Sequence, residues 1–138
     1  MTQTLQPNET QHRRHKKISR HILATFFIVG GALHFVFPTT YIGVMPPWLP
    51  WRRELVLISG AFEMAGGLGV LPASTRRLAG LGLIALSIVV WPANLQMLLD
   101  ANGAQKALWW QALLLLRLPL QLALIYWIWR ETQNTDAD

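Results

Sequence analysis

Charge is nearly absent from the middle of this chain. Between Ile22 and Trp129 there are six basic residues (Arg52, Arg53, Arg76, Arg77, Lys106 and Arg117) and three acidic ones (Glu54, Glu63 and Asp100). Most of them lie between apolar blocks or at their edges. Over all 138 residues only 14% are charged and 52% are hydrophobic, whereas an ordinary soluble domain carries about 25% charge. Such a pattern suits lipid, and it argues against a soluble enzyme, a nucleic-acid-binding domain or a disordered polycation.

Four apolar blocks stand out: Ile22 to Phe37 (with a start as early as Arg20), Glu54 to Leu71, Leu78 to Leu99, and Ala107 to Trp129. A helix needs about 20 residues to cross about 30 Å of hydrocarbon, so the last two are ample and the first two are short. The segment between the first two blocks contains Pro46, Pro47 and Pro50, which rule out a helix interior. It reads as an interfacial loop anchored by Tyr41, Trp48 and Trp51. Ala73 to Arg77 and Asp100 to Lys106 read as tight turns, and short turns force neighbouring helices to run antiparallel.

The expected fold class is therefore all-α, an integral-membrane antiparallel four-helix bundle. Residues 1–19 form a disordered basic cytoplasmic tail, 20–130 the four-span domain and 131–138 a polar tail. With the N-terminus inside, the inner side holds eight Lys/Arg (Arg13, Arg14, Lys16, Lys17, Arg20, Arg76, Arg77 and Arg130). The outer side holds three (Arg52, Arg53 and Lys106). The positive-inside rule then puts both termini in the cytoplasm of a bacterial inner membrane. The net charge of +5 is explained by that basic flank, held to anionic lipid, and needs no nucleic acid. The end of the first block, Val36-Phe37-Pro38, lacks the small residues of a signal-peptide cleavage site.

There is no cysteine, which excludes disulfides, thiolate nucleophiles and thiolate-held iron–sulfur clusters. No zinc or calcium spacing appears, so no metal site is expected. Each block carries one strong polar group. Counting from the inner face, Glu63 and Arg117 fall at about 16 Å, His34 at about 21 Å and Asn94 at about 24 Å. Glu63 or Arg117 alone at mid-depth costs on the order of 2.5–3.5 kcal/mol, so an ion pair between them is expected. Pro92 and Pro119 kink the third and fourth blocks. The kinks leave room for a small polar cavity lined by Asn94, His34 and Glu63. Haem wants a second strong axial ligand, and His34 is the one histidine inside the blocks, so a quinone is the better cofactor class. Glycines and the steps Ala61-x-x-x-Ala65 and Ala65-x-x-x-Gly69 are expected to let helix backbones approach closely.

Several stretches in order carry a family likeness: Gly31-x-x-His34-Phe35-x-x-Pro38, Pro46-Pro47-Trp48-Leu49-Pro50, Ser59-Gly60-x-x-Glu63-x-x-x-Gly67-x-Gly69, Arg76-Arg77-x-Ala79-Gly80, Trp91-Pro92-Ala93-Asn94 and Arg117-Leu118-Pro119-x-Gln121. Over about residues 20 to 130 the chain resembles the DoxX-like membrane proteins. The resemblance implies a four-helix inner-membrane protein. Its family is named for a small subunit of a thiosulfate:quinone oxidoreductase linked to a terminal quinol oxidase. By position, His34, Glu63, Asn94 and Arg117 are the family-like polar set.

The leading functional expectation is an accessory, redox-associated membrane subunit that binds a quinone-like lipophilic ligand through this set. Its partners would be membrane lipid and a second copy or a membrane redox complex. A structural or partner-binding membrane protein and a small-solute or proton transporter are the competing expectations. Intrinsic catalysis would need a bound cofactor, because no side chain here is redox-active.

Overall fold

Prolines set most of the helix boundaries. The computed structural model describes residues 7–103 and 107–133. In them the chain forms α1 (Pro7–Val36), α2 (Pro38–Ile42), α3 (Arg52–Val70), α4 (Ala73–Val89), α5 (Trp91–Gly103) and α6 (Leu108–Gln133), with no strand among the described residues. Proline suits a first helical turn, where its missing N–H would have no intrahelical partner. Pro38 opens α2, Pro72 precedes α4, and Pro92 is the second residue of α5. Pro119 alone lies within a helix, and α6 continues through it.

The all-α expectation holds. Three stretches are long and apolar enough to cross a membrane: Gln11–Val36, Ala73–Gly103 and Leu108–Gln133. At most a third of each such window is buried inside the protein, so the rest presents apolar side chains outward, far more than water tolerates. The second expected block, α3, differs. Its 19 residues include Arg52, Arg53, Glu54 and Glu63, too much charge to join the other three by composition. The third block is two helices, broken at Val90 (φ −82°, ψ −6°) just before Trp91-Pro92.

Two boundaries move. The basic segment is helical from Pro7, so residues 7–19 extend α1 and do not form the expected unstructured tail. At the other end α6 runs past residue 130 to Gln133. The remaining tail residues, 1–6 and 134–138, and Lys106 lie outside the described residues.

The long helices pack in series: α1 on α3, α3 on α4, and α4 on α6, with α5 against α6 and α2 against α3. The buried apolar cluster of Leu23, Phe27, Val70, Leu83 and Ile128 lies toward the end where α1 begins, α3 turns into α4 and α6 stops. The same end is tied by polar contacts. Trp127 Nε1–H donates to Ser19 Oγ (3.0 Å), Arg20 Nε–H to the Glu131 carbonyl (3.2 Å), and the Gln133 amide to the Arg77 carbonyl (3.0 Å).

The α1–α3 seam is made by backbone meeting backbone. A Cβ on Gly60 would lie 2.6 Å from His34 Cβ, and one on Gly67 would lie 2.8 Å from the Ala24 carbonyl oxygen. Positions 60 and 67 share a face of α3, as 24 and 31 do on α1, so the antiparallel helices meet one small residue per two turns. The expected Ala61 and Ala65 face is not this seam, because both alanines are exposed.

Candidate functional site

The Gly60 contact fixes where His34 can go. His34 is on the last turns of α1 and Glu63 is one turn beyond Gly60 on α3. With no side chain at position 60, the His34 imidazole lies along α3 and its Nδ1 comes within 3.8 Å of Glu63 Oε2. That distance is an electrostatic contact and too long for a hydrogen bond. The side chains are 11% and 19% exposed, respectively. His34 Nδ1–H donates to the Gly30 carbonyl at 3.1 Å. This assigns the proton of a neutral ring to Nδ1 and leaves the Nε2 lone pair free to accept.

Two neighbours complete the cluster. Helix α2 folds back from Pro38 and lays the Tyr41 ring over the imidazole, with ring centroids 3.9 Å apart and planes at 31°. Gly30 borders Glu63 from α1: a Cβ there would lie 3.3 Å from Oε2. Among the described residues, no hydrogen bond is donated to the Glu63 carboxylate. A largely apolar groove of about 790 Å³ runs along α1 from Arg14 and Lys17 past Ile22, Phe26 and Val29 to Gly30 and Leu33; neither His34 nor Glu63 lines it.

The four expected site residues therefore separate. His34 and Glu63 come together. Asn94 does not join them: its amide donates to Gln121 Oε1 on α6 at 2.6 Å. The Gln121 amide in turn donates to the Ser87 carbonyl on α4, and Ser87 Oγ–H to the Leu83 carbonyl at 2.8 Å. This chain of polar groups clasps the break at Val90 to α6, so it serves the kink. The expected cavity shared by Asn94, His34 and Glu63 is not formed. Arg117 is exposed and makes no ion pair among the described residues, so the expected Glu63–Arg117 pair is replaced by Glu63–His34. The reason is the serial packing: α6 reaches α4 and α5, whereas α3 lies between α1 and α4.

Sequence reasoning gave Tyr41 only the role of an interfacial anchor and left Gln121 out of the polar set. An amide in the apolar run of α6 was a readable signal for Gln121. Nothing in the sequence indicated that α2 would double back. Among the described residues no cluster of three or more metal-ligating side chains occurs, and the His34–Glu63 pair alone is not a metal centre.

The chain belongs to a family described as a domain of unknown function (DUF8561), which matches residues 23–132. Comparison with curated proteins and with solved structures returns no match. The matched span takes in every residue of the cluster and of the α4–α6 clasp.

Proposed function

We propose that this protein is a four-span, DoxX-like inner-membrane subunit that holds a quinone-like lipophilic ligand against His34, Glu63 and Tyr41. The observation that carries the reading is the His34–Glu63 approach at 3.8 Å, next to Gly30, which also lines an apolar groove on α1. Tyr41 offers a ring face beside the imidazole. His34 Nε2 accepts, so the hydroxyl-bearing, reduced form of such a ligand fits this set best. The groove along α1 suits its apolar tail. The chain's own part is to bind and orient the head group. The redox chemistry belongs to the ligand and to a partner complex or a second copy of the chain.

In this reading α3 is the fourth span. Its 19 residues cover about 28 Å, close to the hydrocarbon thickness, and α1 and α4 flank its charged groups. Five Lys/Arg of α1 from Arg13 to Arg20, Arg76 and Arg77 of α4, and Arg130 of α6 share one end, against Arg52 and Arg53 at the other. That asymmetry supports cytoplasmic termini.

The test is gentle extraction of the full chain, followed by absorption spectroscopy and mass spectrometry of what stays bound. A stoichiometric quinone retained by the wild type and lost from Glu63→Gln and His34→Gln, with both variants still folded, is the expected result. Recovery of bulk lipid alone from the wild type would leave the cluster as a packing contact.

A further inference from the structure

The structure assigns a partner surface to the outer half of α6: a stripe centred on Arg117 that docks a transmembrane helix of another membrane protein, one carrying an Asp or Glu at the same depth. It rests on the membrane-spanning reading above but not on the His34 ligand.

Arg117 is exposed and makes no hydrogen bond or ion pair among the described residues. It lies about 10 Å along α6 from Trp110 and about 18 Å from Trp129. Those tryptophans mark the two interfaces. The length of one side chain therefore does not carry the guanidinium to water on either side. Intramembrane cations as a rule face a bundle interior or a wet cavity and are paired there. This one faces outward and is not.

Its surroundings are shaped for a helix. Trp110, Leu113, Arg117, Leu120 and Leu124 recur at alternating steps of three and four residues along α6. That is the spacing of a seam between two helices. Trp110, Leu113 and Leu120 are 42%, 52% and 57% exposed. Toward the inner end the same side of α6 is closed: Leu124 packs on the buried cluster, and Trp127 donates to Ser19 of α1. From Leu120 outward no element of the chain covers the stripe among the described residues.

Charge decides the occupant. Lipid tails offer a guanidinium no acceptor, whereas a carboxylate can take two of its N–H groups at once. This chain's own mid-depth acid, Glu63, is set against His34, on a helix that does not pack on α6. Glu54 and Asp100 lie near the ends of α3 and α5. A second copy related by a twofold axis would lay Arg117 against Arg117 along this stripe, where like charges repel. A foreign helix with one acid at mid-depth has no such conflict, and Leu113 and Leu120 pack on either side of the pair.

The experiment measures energy transfer in phosphatidylcholine vesicles between the donor-labelled full-length protein and an acceptor-labelled synthetic helix of Leu and Ala with one central Glu. The comparison helices carry Gln at that position, or the Glu moved two turns toward one end. The central-Glu helix should bind about tenfold more tightly than either, which recovers roughly half of the insertion penalty of a lone arginine. Arg117→Leu should bring the preference to within about twofold, while Arg117→Lys keeps most of it and Arg52→Gln with Arg53→Gln leaves it intact. Leu113→Ala with Leu120→Ala should weaken all three helices alike. Equal binding of the Glu and Gln helices to the unmodified protein, or a preference that survives Arg117→Leu, overturns the surface. Energy transfer between two differently labelled copies of the protein, lost on Arg117→Leu, overturns the foreign partner and gives the stripe to a second copy. Release of the protein from the vesicles by an alkaline wash overturns the membrane-spanning reading and the surface with it, whereas retention without the Glu preference overturns the surface alone.

Discussion

Gly60 lies directly against His34: a Cβ at position 60 would come within 2.6 Å of the His34 Cβ and 2.8 Å of the Gly31 carbonyl oxygen. Both obstacles are parts of the chain that cannot swing aside. Gly60→Ala should therefore destabilise the protein by about 1–3 kcal/mol, the usual cost of overpacking. The same substitution at Gly82, where an added Cβ meets nothing within 4 Å, should be neutral or stabilising by up to about 1 kcal/mol, since alanine is the better helix former. Equilibrium unfolding of both variants in one detergent checks the contrast, and equal behaviour would show that the seam is looser than described.

The clasp on the α4–α5 break gives a second test. Gln121 is 7% exposed and bridges Asn94 to the Ser87 carbonyl. Gln121→Leu should cost about 1–3 kcal/mol, because it strands polar groups on two helices. Once Gln121 is gone, Asn94 has lost its partner, so adding Asn94→Leu should cost much less than it does in the wild type. A double-mutant cycle reads this as coupling above about 0.5 kcal/mol. Additive losses would mean that the two amides act separately.

These two contacts show what a sequence of this kind makes legible. Helix ends were readable because proline acts locally, and the apolar blocks because charge is expensive in lipid. The kink at Pro92 was readable for the same local reason. Which polar groups meet was not, because depth along each helix leaves rotation and neighbour order open. Glu63 and Arg117 match in depth, yet α3 and α6 are not packed neighbours, and Arg117 faces outward. His34 and Glu63 meet because glycine at 60 removes what would separate them, a fact of the seam rather than of either residue. The helical state of residues 7–19 was not legible, because a run of cations alone reads as a solvated tail, whereas here it continues α1.

Trp51 is the described residue outside glycine that has a positive φ, at 52° with ψ 38°. The left-handed conformation costs a residue with a large side chain about 1–2 kcal/mol, and asparagine visits it more readily. The Trp51 carbonyl still accepts the first α3 bond, from Leu55 N–H at 2.9 Å, so the backbone there is fixed. Trp51→Asn should raise stability in detergent micelles by about 0.5–1 kcal/mol. A loss of stability would mean that the ring, 76% exposed in the protein, gains more from the interface than the backbone loses.

The separation of Glu63 from Arg117 can be measured directly. If the two were an ion pair, removing either alone would leave an uncompensated charge, and removing both would restore much of the loss. In the structure Glu63 instead contacts His34 at 3.8 Å. The Glu63→Gln, Arg117→Leu cycle should therefore be additive to within about 0.5 kcal/mol, and the Glu63→Gln, His34→Gln cycle should show coupling above that value. Arg117→Leu alone should preserve folding and ease membrane insertion, since it replaces an outward-facing cation by an apolar side chain. Coupling in the first cycle and additivity in the second would reverse the assignment and place α6 against α3. The two outcomes also bear on ligand retention. Under the structure described, Arg117→Leu leaves the His34–Glu63–Tyr41 cluster untouched, and a bound quinone should survive it undiminished.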